Sequence, residues 1–140
     1  MINLDSSDSG LESRTIGGYK FERKNLIGKG AFSTVYLGYL ESDPKQVFAI
    51  KRIKFNPNKS IERQRQLIQR EYEINQRLNH PNIVKFYAYL DDPSYDCYKY
   101  LVFEYCNGPD LETLLFAEKG MKEDQAIFLF GQILEGFSVI

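Results

Sequence analysis

The sequence predicts an α+β fold, in which a five-stranded antiparallel sheet carries one packed helix and is followed by two helices of a helical region. Residues 19–54 contain three runs of β-branched and aromatic residues separated by short turn-forming segments, which is typical of an antiparallel meander. Residues 60–78 change to long unbranched side chains, which favour a helix. Two further strand-like runs and two apolar helical stretches follow, so the predicted order is βββ-α-ββ-αα.

The chain divides into three segments. Residues 1–18 are rich in Ser, Asp and Gly and have few large apolar side chains, so we expect a disordered tail. Residues 19–106 form the sheet with its helix, and residues 107–140 leave it and begin the helical region. A chain of 140 residues has room for one sizeable core but little room for a second.

The element boundaries follow from turn and cap signals. GKG separates the first two strands, and Ser42-Asp43-Pro44 is the predicted turn before the third. Ser60 is placed as the N-cap of the helix. The strands are predicted at 19–27, 32–39, 47–54, 83–90 and 98–104, and the final helices at 110–118 and 122–140.

The composition excludes several classes of protein. A formal net charge of −1 argues against binding of nucleic acid by bulk positive charge. The two cysteines, Cys97 and Cys106, are far apart and His80 is the single histidine, so a structural zinc site is not expected. The first 18 residues lack the pattern of a signal peptide, and no stretch approaches the roughly 18 apolar residues that span a membrane. We therefore expect a cytosolic or nuclear protein, with the cytoplasm as its predicted location.

The glycine-containing stretch IGKGAFSTVY, residues 27–36, has several interpretations. A Walker phosphate loop needs Gly-Lys-Ser/Thr and a following helix, and a dinucleotide fingerprint also needs a helix after the glycines. The residues after Gly30 favour a strand instead. The stretch is therefore either an ordinary hairpin turn or a hairpin whose backbone N–H groups cover nucleotide phosphates.

Lys51 and Ala49 share one face of the strand that ends in FAIK, while Phe48 and Ile50 share the other. A small alanine beside an inward lysine leaves space for a flat ligand next to a fixed positive charge. The alternative is a lysine on the solvated face, which is the commoner position for lysine.

Glu71 lies within the predicted apolar stripe of the helix, together with Leu67, Ile74 and Leu78. A partly buried carboxylate needs a cation, and Lys51 is well placed on the sheet to supply it. The alternative is a Glu at the margin of the stripe that reaches water.

Four spaced motifs together resemble the N-terminal lobe of eukaryotic protein kinases. They are IGKGAFSTV, FAIK ending at Lys51, a helical Glu nine residues before the His of NHPNIV, and LVFEYCNGPDL. The resemblance covers about residues 19–140, and RKNLIGKGAF with LVFEYCNG is similar to the unc-51-like, autophagy-initiating serine/threonine kinases. It implies a kinase N-lobe followed by the first two helices of a truncated C-lobe.

The resemblance also implies roles for single residues. Lys51 would hold the α- and β-phosphates of ATP and Glu71 would fix Lys51, so these two are the predicted catalytic residues. The glycine hairpin would cover the phosphates, Ala49 would pack on adenine and Phe103 falls at the gatekeeper position. Glu104 and Cys106 would bond adenine through their backbones, and Asp110 falls where such kinases often contact the ribose. The predicted ATP-binding residues are Ile27, Gly28, Lys29, Gly30, Ala31, Phe32, Ser33, Val35, Ala49, Lys51, Phe103, Glu104, Cys106 and Asp110.

Two departures from the family pattern are Ser33, at the place of the third glycine, and Pro109, where glycine is common. The HRD and DFG segments, which orient the substrate hydroxyl and bind Mg²⁺ in this family, do not occur in the sequence. We therefore expect the Mg²⁺ ligands to lie in a missing C-terminal part and this chain alone to be inactive. Its last helix would expose an apolar patch that favours association, formed by Phe128, Ile133, Leu134 and Phe137.

Three hypotheses follow. The first is part of a kinase that transfers the γ-phosphate of ATP to Ser or Thr hydroxyls of a protein substrate. The second is a short non-catalytic nucleotide-binding or scaffold protein. The third is an NADP-binding enzyme that uses Arg52, which requires a helix immediately after Gly30.

Overall fold

The structure is a computed structural model that describes residues 12–140. Its sheet is antiparallel and six-stranded, with the strand order β1-β2-β3-β4-β6-β5, so the predicted α+β class is confirmed. One helix connects β4 to β5 and two helices follow β6. The elements are β1 Ser13–Ile16, β2 Tyr19–Lys29, β3 Ser33–Leu40, β4 Asp43–Lys54, α1 Ile61–Arg77, β5 Phe86–Asp91, β6 Tyr98–Glu104, α2 Leu111–Glu118 and α3 Glu123–Phe137.

Strand β1 was not predicted, and it makes the sheet one strand wider than expected. It pairs with β2 through a two-residue turn, Gly17-Gly18, whose positive φ values of 55° and 84° suit glycine. Ile16 enters the core, with 5% of its surface exposed. The predicted disordered tail over residues 1–18 is therefore wrong for residues 13–16, because contacts distant in sequence order this polar segment. Residues 1–11 of that tail lie outside the described residues.

Other boundaries differ by a few residues. The turn predicted at Ser42-Asp43-Pro44 lies at Glu41 and Ser42, because β4 already begins at Asp43 and Leu40 pairs with Asp43. The register then shifts, so that Tyr39 pairs with Val47. Pro44 has no N–H to donate, and this irregularity accommodates it within the strand.

The core lies on one face of the sheet. Phe48 and Ile50 of β4 are buried there, and the rings of Phe21 and Tyr36 stack with their centroids 4.8 Å apart. The predicted alternation of β4 is thus present, and it directs Ala49 and Lys51 to the opposite face. The core residues are Ile16, Phe21, Tyr36, Phe48, Ile50, Tyr98, Tyr100 and Val102.

Helix α1 covers that opposite face, and the predicted stripe is right for Glu71 and Leu78 but wrong for two other residues. Leu67 and Ile74, which the apolar pattern places inward, are 58% and 49% exposed. Ile68 is buried instead, and the ring of Tyr72 packs against Phe86 and Tyr89 of β5. The inner side of α1 is Gln64, Ile68, Glu71, Tyr72, Asn75 and, beyond its last turn, Leu78.

Helix α3 touches the rest of the chain at few points. The Nδ2 group of Asn82, in the link between α1 and β5, donates to the carbonyl of Gln132 over 3.0 Å, and Gly136 lies close to Asn82. Most apolar side chains of α3 remain exposed, including Phe128 at 66% and Phe137 at 69%. In the part of the chain that the structure describes, no helix combines the length and apolar character needed to cross a membrane.

Candidate functional site

The site is built on the sheet face that α1 covers. Lys51 of β4 lies between Val35 of β3 and Leu101 of β6 in the strand register. Two residues earlier, Ala49 is aligned with Phe103 of β6. Because paired residues of antiparallel strands project to the same face, the sheet brings Val35, Ala49, Lys51 and Phe103 together, as the resemblance implies.

Lys51 and Glu71 form the predicted ion pair. The Nζ atom of Lys51 donates to Oε1 of Glu71 over 3.0 Å, which joins the sheet to α1. The two side chains are 30% and 36% exposed. An ion pair of such exposure contributes only about 0–1 kcal/mol to stability, so other contacts must hold α1 in place.

The glycine stretch forms the tip of the β2–β3 hairpin. Gly28 pairs with Val35, and the Gly30 N–H donates to the Ser33 carbonyl over 2.7 Å. A Cβ atom added to Gly30 would lie 2.9 Å from Ser33 Oγ, so a larger residue would displace that side chain. Phe32 at the tip is 47% exposed. Ile27, Lys29 and Ala31 are exposed as well.

The structure of this hairpin excludes one of the three hypotheses. Strand β3 begins at Ser33, directly after the glycines, whereas a dinucleotide fingerprint requires a helix there. The hypothesis of an NADP-binding enzyme that uses Arg52 is therefore wrong. Arg52 instead lies on the core face, where its guanidinium donates to the Tyr36 hydroxyl over 3.1 Å.

The predicted hinge lies at the end of β6. The ring of Phe103 is 5.5 Å from that of Phe86. Glu104 exchanges two hydrogen bonds with Lys85, since its N–H donates to the Lys85 carbonyl and its Oε2 accepts from the Lys85 N–H. Cys106 is an exposed free thiol.

Asp110 has a capping role that the sequence analysis did not assign. Its Oδ1 accepts from the Thr113 N–H over 2.7 Å, and it is the N-cap of α2. The hydrogen bond to Thr113 lowers the pKa of the Asp110 carboxyl. The ribose contact implied by the resemblance stays a prediction.

Two open clefts lie near these elements, and Lys51 lines neither. One, of about 370 Å³, is bounded by the hinge residues Glu104 and Cys106, by Leu111 of α2 and by Ile133 of α3. The other is a polar groove between α1 and the edge of the sheet, where Tyr89 of β5 and Lys99 of β6 face charged and amide side chains of the helix. Between residues 12 and 140 no group of three or more His, Cys, Asp or Glu side chains is placed to hold a metal ion.

Sequence reasoning missed two polar residues of α1 that lie on the same side of the helix as Glu71. Gln64 of α1 exchanges two hydrogen bonds with the backbone of Asn56, beyond the end of β4. Asn75 Nδ2 donates to the Glu71 carbonyl over 2.8 Å. Gln64 lies seven residues before Glu71, so helical spacing could have placed both on one side of α1.

Comparison with known proteins agrees with these features. The model of the protein kinase domain matches residues 21–140. Serine/threonine-protein kinase ULK1 of Homo sapiens is 36% identical over 124 residues, which cover 89% of this chain and 11% of that protein. MAP kinase kinase kinase SSK2 of Saccharomyces cerevisiae is 33% identical over 145 residues, covering 100% of this chain and 8% of its own length. Serine/threonine-protein kinase tousled-like 2 of Mus musculus is 36% identical over 121 residues, which cover 83% of this chain and 16% of that protein.

The predicted likeness to unc-51-like kinases is therefore present, and tousled-like 2 shares the same 36% identity. The chain spans 8–16% of the length of these three relatives. Since the family model covers most of the chain and all three relatives are kinases, the chain belongs to the protein kinase domain family.

Proposed function

We propose that this chain is the ATP-binding part of a protein kinase that transfers the γ-phosphate of ATP to Ser or Thr hydroxyls of proteins. The observation that carries the proposal is the 3.0 Å pair of Lys51 and Glu71 on the sheet face beneath α1. The glycine hairpin flanks this face through Val35, which pairs with Lys51. A fixed cation close to backbone N–H groups is a suitable environment for a polyphosphate.

Each residue has a definite task in this proposal. Lys51 holds the α- and β-phosphates, and Glu71 keeps its ammonium group directed at them. The backbone of the hairpin tip covers the phosphates, because only small residues such as Gly28 and Gly30 allow a close approach. Ala49 leaves room for the adenine ring, and the backbones of Glu104 and Cys106 supply its hydrogen bonds.

Within residues 12–140, no cluster of three or more His, Cys, Asp or Glu side chains is placed to hold Mg²⁺. HRD and DFG segments are also absent from the sequence. We propose that ATP binds here and that the chain alone does not catalyse transfer. The protein substrate, cytoplasmic location and Ser/Thr specificity stay predictions.

Nucleotide binding tests the proposal. We expect the Lys51→Met variant to bind a fluorescent trinitrophenyl ATP analogue roughly 10- to 100-fold more weakly, since a charge-assisted hydrogen bond is lost. The apolar stem is retained, so the melting temperature should stay close to that of the wild type. Lys45→Met is the matched control, because Lys45 is an exposed lysine of the same strand. Equal binding by all three proteins would contradict the role of Lys51.

The alternative is a non-catalytic nucleotide-binding or scaffold protein. The pair of Lys51 and Glu71 favours the kinase, because a pure scaffold needs neither residue. The reading frame beyond codon 140 distinguishes the two functions. A kinase requires an HRD segment followed by DFG, so a downstream sequence that encodes neither would refute the catalytic proposal.

A further inference from the structure

Gln64 joins α1 to the sheet through a reciprocal pair of hydrogen bonds. Its Oε1 accepts from the backbone N–H of Asn56 over 2.7 Å, and its Nε2 donates to the backbone carbonyl of Asn56 over 2.9 Å. A single side-chain amide thus satisfies both backbone groups of one residue. Two hydrogen bonds in opposite directions fix both the distance and the relative orientation of α1 and the segment that contains Asn56.

Asn56 is itself held on the sheet. The preceding residue, Phe55, is 5% exposed, and its N–H donates to the carbonyl of Cys97 at the start of β6 over 2.9 Å. Asn56 is 9% exposed, and its Oδ1 accepts from the N–H of Asn58. Gln64 therefore attaches α1 to a fixed point beyond the end of β4, the strand that carries Lys51.

Apolar burial and the ion pair hold α1 only weakly at this end. Its buried apolar residue is Ile68, and Leu67 is 58% exposed. The pair of Lys51 and Glu71 is about one-third exposed and is weakened by solvent. Tyr72 packs on β5, which holds the helix on the C-terminal side of Glu71.

The spacing along the helix links Gln64 to the ion pair. Gln64 and Glu71 are seven residues apart, which is close to two turns, so both lie on the inner side of α1. Gln64 holds the helix on the N-terminal side of Glu71 and Tyr72 holds it on the other. A rotation of α1 that carried Glu71 away from Lys51 would have to break the bonds to Asn56.

We propose that Gln64 is a positioning residue, whose reciprocal hydrogen bonds with the backbone of Asn56 hold α1 where Glu71 reaches Lys51. Its effect on nucleotide binding rests on the proposed function. Its effect on the geometry of the pair does not.

Chemical cross-linking tests the geometry without a nucleotide. A water-soluble carbodiimide joins an amine and a carboxylate in direct contact by an amide bond, so the wild type should give a Lys51–Glu71 cross-link. We expect its yield, measured by mass spectrometry of peptides, to fall at least threefold in Gln64→Ala. The 2.5 Å pair of Lys99 and Asp91 in the same sample is the internal reference. Gln66→Ala is the matched variant, because Gln66 is exposed and bonds Glu62 of the same helix.

The inference is overturned if the normalised yield is unchanged in Gln64→Ala, or if Gln66→Ala lowers it as much. Should Gln64→Ala fail to fold, Gln64→Glu replaces it. That side chain still accepts from the Asn56 N–H but cannot donate to the carbonyl in its ionised form. An intermediate yield supports the inference, and a wild-type yield overturns it.

Titration with the trinitrophenyl ATP analogue tests the functional consequence. If α1 spends one-third of the time in the competent position, the apparent Kd rises about threefold. We expect such a rise for Gln64→Ala in the wild-type background and none in the Glu71→Gln background. A purely structural role would weaken binding equally in both backgrounds and overturns the inference. A wild type that does not bind the analogue refutes the proposed function, while the cross-linking result still decides the geometry.

Discussion

Tyr100 is a buried residue whose ionisation is linked to folding. Its side chain is fully enclosed, and its hydroxyl donates to Oδ2 of Asp92 over 3.0 Å. Burial, with a smaller effect of the Asp92 charge, raises the pKa of Tyr100 well above its ordinary value of 10.0. The folded state therefore keeps this proton at a pH at which the unfolded chain releases it.

The sign of the resulting pH dependence follows directly. Above pH about 10 the unfolded state binds fewer protons than the folded state, so the free energy of unfolding falls as the pH rises. We expect Tyr100→Phe, which cannot ionise, to show a smaller fall. Urea unfolding of both proteins at several values between about pH 8 and 11 measures the difference in slope. Parallel slopes would contradict the assignment of the alkaline transition to Tyr100.

At the residue scale, the charged residues of the site were easier to predict from the sequence than the uncharged residue that positions α1. Lys51 and Glu71 are charged residues on inward faces, so their need for partners is visible in the pattern. Gln64 carries no charge, and an amide on a helix is usually solvated. Its function depends on the backbone of Asn56, which only the fold brings near.

At the element scale, β1 shows how a polar segment becomes ordered. The guanidinium of Arg14 contacts both carboxylate oxygens of Asp92, at 2.9 and 3.2 Å, and stacks on the Tyr95 ring at 4.7 Å. The Asp92 side chain is fully buried, and it also accepts from the N–H groups of Ser94 and Tyr95. Strand β1 is thereby attached to the link between β5 and β6, 78 residues away.

This attachment predicts a large loss of stability when one partner is removed. Asp92→Ala should lower the free energy of unfolding by about 3–5 kcal/mol, because it leaves Arg14 without its buried counterion and removes two backbone hydrogen bonds. Urea denaturation measures the loss, and hydrogen exchange should show faster exchange in β1. Lys24→Ala is the control, since Lys24 is 77% exposed in its pair with Glu22 and should leave the urea midpoint unchanged. Equal midpoints for Asp92→Ala and the wild type would refute this account of β1.

The sequence pattern predicted elements well where the signal is local. Period-two alternation located β4 and its two faces, and Ser60 was correctly assigned as the N-cap, since its Oγ accepts from the Arg63 N–H. β1 was missed because its order comes from Asp92, far along the chain. The predicted inner side of α1 was right for Glu71 and Leu78. It was wrong for Leu67 and Ile74, because Gln64, Ile68 and Tyr72 lie inward instead.

At the scale of the whole molecule, the sheet and the C-terminal helix α3 differ in how far their apolar side chains are buried. The sheet has a core on one face and α1 on the other. α3 instead exposes large apolar side chains on several sides, with Ile127 at 65%, Phe128 at 66%, Phe130 at 60% and Phe137 at 69%. Large apolar side chains of a helix are normally packed against other protein, so we expect this surface of α3 to be covered by a partner.

The last prediction follows from this surface. We expect the 140-residue chain to self-associate through α3 with a mass that rises with concentration, measured by light scattering after size exclusion. The double variant Phe128→Gln and Phe137→Gln should raise the dissociation constant at least about tenfold, because burying one such side chain contributes about 1.5–3 kcal/mol. Glutamine is a good helix former, so α3 itself should persist.

Leu67→Gln is the control for that experiment, because Leu67 is 58% exposed on a different helix and leaves the apolar surface of α3 intact. It should associate as the wild type does. A wild-type chain that stays monomeric over the full range of concentration would contradict association through α3. If Leu67→Gln weakened self-association as much as the double variant does, association would not depend specifically on α3. Far-ultraviolet circular dichroism of each variant separates a loss of contact from a loss of helix, since only an unfolded α3 would lower the helical signal.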